Sequence, residues 1–278
     1  VKFAIISDTH VGSSGGDYKG VQRKLISESE HLVKQFVEKM NRQNLPEFVV
    51  NLGDSIEDVN DRKIDIKEFK KVIELLSKLE MPSYWLVGNH DLRTLDQDEI
   101  AEMLGYEHMY YSFNHGGYHF IVLSFTMTGD HTRVHGDIYA EVPKEQVEWL
   151  KDDLSKTSKP TIVFTHYGLA EDDMKGNFWF ETAPEKGLIG NRKQIRKILE
   201  ERGNVRAVIS GHQHWNRMFV HNGIPYFTVT SLVENFKNGG IPSEAHTIVD
   251  LEEDKIVVDV RGNDPARFEY SGQNWGEL

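Results

Sequence analysis

The chain has 278 residues, with 32 Lys and Arg against 44 Asp and Glu, giving a formal net charge of −12 at neutral pH. Its 38% hydrophobic and 10% aromatic content is enough for a packed core and excludes a disordered chain. The lack of cysteine excludes disulfide frameworks, thiolate zinc sites, iron–sulfur clusters and cysteine-nucleophile phosphatases.

In chain order, residues 2–7 are a short apolar run with an abrupt polar stop at Asp8, read as a buried strand rather than a signal peptide. The segment 11–20 reads as a loop, and Gln22 to Asn41 has helical spacing of Leu25, Leu32, Val33, Phe36, Val37 and Met40. Phe48–Leu52 is a second strand, and a helix with Phe69, Val72, Ile73, Leu76 and Leu79 on one face follows it. Tyr84–Val87 is a third strand, and Asp96 with Glu99 forms a capping box for a helix ending at Leu104. Tyr110–Phe113 and Tyr118–Ser124 are strands, 126–141 is a polar loop, and Lys144–Leu154 is helical. Thr161–Thr165 is a strand, 167–190 has little period, and Asn191 caps a helix carrying Ile195, Ile198 and Leu199. Val205–Ser210 is a strand. Phe219-Val220 and Tyr226-Phe227 flank a hairpin turn at Asn222-Gly223, Thr247–Leu251 pairs with Lys255–Val260, and the tail from Gly262 reads as irregular.

Strand–helix–strand order in the first half favours a parallel sheet, and the later hairpins add antiparallel strands. The expected architecture is α/β, with two packed sheets and helices outside. Without a repeat, low-complexity tract or linker, residues 1–278 read as one domain. No apolar run is long enough to span a membrane. The absence of an N-x-[ST] acceptor favours a cytoplasmic protein, while the start at Val1 leaves room for a removed leader. The acidic balance argues against duplex nucleic acid, whose binding leans on Lys and Arg, but allows a small phosphorylated ligand held through a cation. Oligomeric state is not legible in the sequence.

The informative feature is where strands end. Five apolar strands stop at residues able to bind metal: Asp8-Thr9-His10, Gly53-Asp54, Gly88-Asn89-His90-Asp91, His166 and Gly211-His212-Gln213-His214. Ligands of open α/β sheets collect beyond the carboxyl ends of strands, so these side chains are expected to converge. Two carboxylates (Asp8, Asp54), one amide (Asn89) and four imidazoles (His10, His166, His212, His214) exceed the needs of one four-coordinate ion and suit two ions sharing a carboxylate. The mixed N and O donors favour Mn, Fe, Zn or Co over calcium or magnesium.

The ordered run D-x-H, GD, GNH[DE], a lone H and GHxH resembles the calcineurin-like metallophosphoesterases over nearly the whole chain. The resemblance implies a double β-sheet sandwich flanked by helices, a four-layer αββα fold. It implies two ions per chain, with Mn or Fe favoured over Zn. Asp8, His10, Asp54 and His214 would bind one, and Asp54, Asn89, His166 and His212 the other. It also implies a catalytic contact from His90 near the leaving-group oxygen. Asp91 either orients that histidine or simply makes a turn with it. The reaction expected is hydrolysis of a phosphodiester or pyrophosphate bond in a small, nucleotide-like substrate, by hydroxide bridging the two ions. A narrower resemblance, carried by Gly20–Lys24, Asn191, Ser231–Glu234 and Arg261–Pro265, points to manganese-dependent ADP-ribose/CDP-alcohol diphosphatases. The D-x-H form at His10 instead matches cyclic nucleotide phosphodiesterases of the same fold.

Weaker candidates for substrate contact are Arg23, read with Lys24 as a helix-face charge otherwise, the basic cluster His131, Arg133 and His135, and the aromatics Phe178 and Trp179. The aromatics either stack a base or anchor the long loop on the core. Competing functions are a broad-specificity phosphomonoesterase or protein phosphatase and, from another class, a non-catalytic metal-binding scaffold. The net charge argues against a nuclease, which needs a basic track.

Overall fold

The computed structural model describes residues 1–43, 46–128 and 139–272. Its main elements are, in order, β1 (Lys2–Ile6), α1 (Ile26–Gln43), β2 (Val49–Asn51), α2 (Arg62–Leu76), β3 (Ser83–Trp85), α3 (Gln97–Leu104), β4 (Tyr111–His115), β5 (Tyr118–Leu123), α4 (Lys144–Ser155), β6 (Thr161–Thr165), α5 (Arg192–Arg202), β7 (Val205–Ser210), β8 (Arg217–His221), β9 (Ile224–Thr228), β10 (His246–Leu251), β11 (Ile256–Arg261) and β12 (Ala266–Tyr270).

The strands form two six-stranded sheets, ordered β12-β11-β10-β1-β2-β3 and β8-β9-β7-β6-β5-β4. Within the first sheet β1, β2 and β3 run parallel, and β10 joins β1 antiparallel through Ala4↔Ile248. Within the second, β5, β6, β7 and β9 run parallel. The apolar runs read as single blocks because their strands are buried on both faces. Phe3 and Ile5 of β1 point into the layer between the sheets, where they meet Phe120, Val122, Ile162, Phe164 and Ile209. Ala4 and Ile6 point the other way, among Val33, Phe36 and Met40 of α1 and Val72 of α2. The period-two alternation of β1 thus feeds two cores at once, giving the αββα layering. Phe3 stacks on Phe48 at 4.8 Å and meets Phe120 and Phe164 edge-on, so aromatic packing ties the two sheets together.

Several expectations need correction. The tail is not irregular: β12 pairs antiparallel with β11 from Ile256↔Tyr270 to Val260↔Ala266. Its alternation puts Ala266, Phe268 and Tyr270 against the inter-sheet core and leaves Arg267 and Glu269 outside. Helix α1 starts at Ile26, not Gln22, because Asp17-Tyr18 and Val21-Gln22 form a small hairpin. Lys19 and Gly20 have φ of 51° and 75°, the signature of a type I′ turn. Arg23 and Lys24 therefore lie on an extended segment before the helix rather than on its face, with Lys24 bridged to Glu234. Asn191 occupies the N-cap position of α5, but its amide exchanges two hydrogen bonds with Val142 instead of capping. Asp96 caps α3 by accepting from the Glu99 N–H, whereas the Glu99 carboxylate pairs with Arg62. Thr126–Thr128 and Tyr139–Glu141 form a two-stranded ribbon inside the expected loop.

Candidate metal centre

The parallel strands β1, β2, β3, β6 and β7 direct their carboxyl ends to one place, and the chain turns there at once. Asp8, His10, Asp54, His212 and His214 all have φ between 45° and 65°, a left-handed conformation that is costly for residues other than glycine. Five such residues in one cluster mark a backbone bent to aim side chains. The glycines make the approach possible. A Cβ on Gly88 would fall 2.1 Å from Asp54 Oδ1, and one on Gly211 would fall 2.2 Å from Ser7 Oγ and 2.6 Å from Asp8 Oδ2.

All seven expected ligands come together. Asp8 Oδ1 lies 3.3 Å from His214 Nε2, and His214 Nε2 lies 3.2 Å from His10 Nε2. Asp54 Oδ2 lies 3.9 Å from His10 Nε2 on one side and 3.5 Å from His166 Nε2 on the other. Asn89 Oδ1 is 3.3 Å from His166 Nε2. The potential donor atoms of Asp8, His10 and His214 lie within 4.8 Å of one another, as do those of Asp54, His166 and His212. Asp54 therefore stands between two donor groups.

The outward nitrogens of the four imidazoles show what the inward ones are for. His10 Nδ1 is 2.9 Å from Glu57, His166 Nδ1 is 2.8 Å from the Leu52 carbonyl, His212 Nε2 is 3.1 Å from the Lys186 carbonyl, and His214 Nδ1 is 2.7 Å from Glu234. The acceptors behind His166, His212 and His214 take up the far-side nitrogen of each ring and turn the other nitrogen toward the carboxylates, while Glu57 lies at ion-pair distance behind His10. Ring nitrogens and carboxylates buried this closely need protons or metal cations among them. The donor chemistry thus fits a pair of N/O-ligated divalent ions.

The protonation behaviour of the side chains agrees. Burial resists ionisation of Asp8 and Asp54, but His214 and His166 outweigh it and hold both carboxyls well below their usual range. Burial lowers the His166 and His214 pKa values, yet Asp54 and Asp8 with Glu234 overcome it and push each up to about 9. His10 is pulled down to about 4 by burial with help from Lys24, and His212 to about 3 by burial with help from His166. Each half of the site therefore pairs one neutral imidazole with one that holds its proton until a cation displaces it.

His90 sits at the edge of the pair, its backbone N–H donating to Asp54 Oδ1 at 2.8 Å. Asp91 does not orient it. The buried Asp91 carboxylate accepts from the Gly88 and Ile56 N–H groups and fixes the turn, and burial next to Asp54 raises its pKa to about 7. The partner of His90 Nδ1 is Asp58, at 2.6 Å. The sequence pattern alone does not mark Asp58, Glu57 and Glu234 as site residues. The available signal was two acids following Gly53-Asp54 by three and four positions, on the same turn.

A cavity of about 170 Å³ opens beside the cluster, lined by Lys24, Asp54, Asn89, His90, Trp179, Phe180, His212 and His214. Asn177 shapes its aromatic wall. Its Nδ2 donates to the Gln213 carbonyl, and its Oδ1 accepts from the Trp179 and Phe180 N–H groups, clamping the loop onto the last strand-end motif. Trp179 Nε1 donates to Glu234. Of the weaker candidates, Trp179 lines the cavity. Phe178 stands behind it against Tyr18, with Arg23 over its ring at 4.4 Å and Arg23 paired with Glu234 and Asn238. His131, Arg133 and His135 lie outside the described residues.

An αββα double sheet with a buried donor set at its strand ends defines a metal-dependent phosphoesterase. Residues 1–216 match the calcineurin-like phosphoesterase family, and the chain belongs to it. It is similar to the manganese-dependent ADP-ribose/CDP-alcohol diphosphatase of Arabidopsis thaliana, 21% identical over 277 residues, covering 84% of this chain and 86% of that protein. It is also similar to the 3′,5′-cyclic adenosine monophosphate phosphodiesterase CpdA of Haemophilus influenzae, 23% identical over 247 residues, covering 85% and 78%. In fold it resembles a dimetal phosphatase from Danio rerio, with a TM-score of 0.77 at 18% identity over 97% of this chain and 99% of that one. No helix among the described residues is long and apolar enough to cross a membrane.

Proposed function

We propose that the chain hydrolyses a phosphodiester or pyrophosphate bond in a small, nucleotide-like substrate, using two ions held side by side. Asp8, His10 and His214 would hold one ion, Asn89, His166 and His212 the other, and Asp54 would serve both. The observation that carries this is the set of four imidazoles gathered around Asp8 and Asp54, three of them anchored outward by an oxygen acceptor and His10 backed by Glu57. Manganese or iron suits the mixed donors better than calcium or magnesium. Bound there, a divalent pair supplies an acidified water and offsets charge on the phosphoryl oxygens.

The chain's own residues do the rest. His90, held by Asp58, offers Nε2 to the cavity and delivers a proton to the departing oxygen. The Asn89 amide and the His90 ring border the space for the reacting phosphoryl group, and Trp179 with Phe180 forms an apolar wall that excludes water and takes a base or similar planar group. A cavity of about 170 Å³ with an aromatic side at Trp179 and Phe180 suits a small substrate better than an extended peptide, which favours this reading over a protein phosphatase.

The test is kinetics on metal-stripped protein refilled with Mn²⁺, Fe²⁺ or Zn²⁺, against monoesters, cyclic nucleotides, dinucleoside diphosphates and glycerophosphodiesters. The reading expects metal-dependent turnover that is fastest on a diester or diphosphate and that falls about a hundredfold or more in Asn89→Ala and His90→Ala. Metal-independent turnover, or none on any substrate, would refute it.

A further inference from the structure

Lys24 is a buried cation that the ion-binding cluster does not require. It is 4% exposed, on the extended segment ahead of α1. Its ammonium pairs with Glu57, lies 3.3 Å from His90 Nε2 and sits 5.6 Å from the Trp179 ring centre. Among the described residues lining the cavity it is the one lysine or arginine. Burying an ammonium is costly, and its carboxylate partner is shared, because the same Glu57 oxygen also faces His10 Nδ1. An ammonium has three donors, and Glu57 and His90 account for two, which leaves a third for the cavity that Lys24 lines.

Glu57 and Asp58 thus hold Lys24 and His90 side by side on the wall between the Asp54–Asn89 end and Trp179. A phosphoryl group reacting at the Asp54–Asn89 end places its leaving group against this wall. An alcohol leaving group needs a proton, which one donor supplies. A phosphate leaving group departs with extra negative charge, which a fixed cation stabilises.

We propose that Lys24 is a substrate-binding residue that holds the departing phosphate of a P–O–P substrate, so that the site favours diphosphates over diesters with alcohol leaving groups. This deepens, and rests on, the hydrolase reading above. In the reaction, the oxygen of water bonds to one phosphorus and the bond from that phosphorus to the bridging oxygen breaks. Its electron pair stays on the bridging oxygen, which leaves as part of the second phosphate beside Lys24. The protons of water end on the two phosphate products or in solvent. The neighbouring Trp179 puts an aromatic or apolar substituent of the second phosphate next to the ring.

The test compares wild type, Lys24→Gln and Lys24→Arg, all loaded with Mn²⁺, on diadenosine diphosphate and on 3′,5′-cyclic adenosine monophosphate, a diester with alcohol leaving groups. Lys24→Gln is expected to lose kcat/KM on the diphosphate at least about thirtyfold more than on the diester, and Lys24→Arg to restore most of that ratio. If Lys24→Gln fails to fold, Lys24→Gln/Glu57→Gln removes both charges of the pair and reads the same ratio. Equal losses on the two substrates, or an unchanged ratio, overturn the assignment while leaving the hydrolase reading standing. Wild type that turns over neither substrate with any of the three metals overturns both.

Discussion

Gly88→Ala tests how closely the strand-end turns are built around the bridging carboxylate. The backbone φ of Gly88 is not in the left-handed region, so alanine is acceptable on backbone grounds. The space is what forbids it: the new Cβ would fall 2.1 Å from Asp54 Oδ1 and 2.2 Å from the Asp54 backbone nitrogen. Ordinary contact is about 3.5 Å, so the carboxylate or its turn must retreat by roughly 1 Å or more. That movement strains the hydrogen bond from the His90 N–H to Asp54 Oδ1 and carries Oδ2 away from His10 and His166 together. Overpacking and a weakened charge-assisted bond together cost about 2–4 kcal/mol, a fall in Tm of roughly 3–7 °C for a chain of this size. Because Asp54 serves both halves, affinity for both ions falls by at least about tenfold rather than for one alone. Gly239→Ala is the control: its Cβ meets nothing closer than 3.7 Å. Calorimetric melting and isothermal titration with Mn²⁺ read the two effects. A Gly88→Ala protein that matches the control in Tm and binds two ions with unchanged affinity would refute the proposed placement of Asp54 between them.

Glu234→Gln exchanges the carboxylate that faces His214 Nδ1, so affinity for the ion beside Asp8 falls about 10–100-fold with little effect on the other, measured by Mn²⁺ titration. Asp58→Asn weakens the hold on His90; kcat is expected to fall about tenfold or more with metal content unchanged, and an unaltered kcat would remove His90 from the proton path. The folded pKa values of His166 and His214, about 9, stand above the ordinary 6.5, so the stability they contribute to metal-free protein is fully present below pH 6.5 and is lost as pH rises through 9. The Tm of stripped protein should therefore decline over that window. Each ion displaces one proton there, so apparent Mn²⁺ affinity per site rises about tenfold per pH unit from 7 and flattens above 9. Affinity independent of pH would contradict the His166 and His214 assignments.

The layered fold was legible because the inner strands are buried on both faces, and continuous runs such as Phe3–Ile6 and Thr161–Thr165 leave little ambiguity. The convergence of the strand ends followed from the same fact, since parallel strands present their carboxyl ends together. The last strand escaped notice because Ala266–Tyr270 is a half-exposed edge with two charged residues, and its alternation is weak against an irregular-looking tail. The support for the imidazoles was illegible for another reason. Glu57, Asp58 and Glu234 bear on the cluster only once turns and a loop are placed in space, and Leu52 and Lys186 contribute through backbone carbonyls that carry no residue signature. Asp91 shows the converse: adjacency to His90 suggested a partner, while the turn points its carboxylate at backbone N–H groups.

The most direct test of the two-ion account is anomalous X-ray scattering from crystals of Mn²⁺-loaded protein. The account predicts two peaks per chain, about 3.5–4 Å apart with Asp54 Oδ2 between them, one against Asp8, His10 and His214 and the other against Asn89, His166 and His212. A single peak in fully loaded protein, or two peaks with Asp54 touching only one, would contradict it.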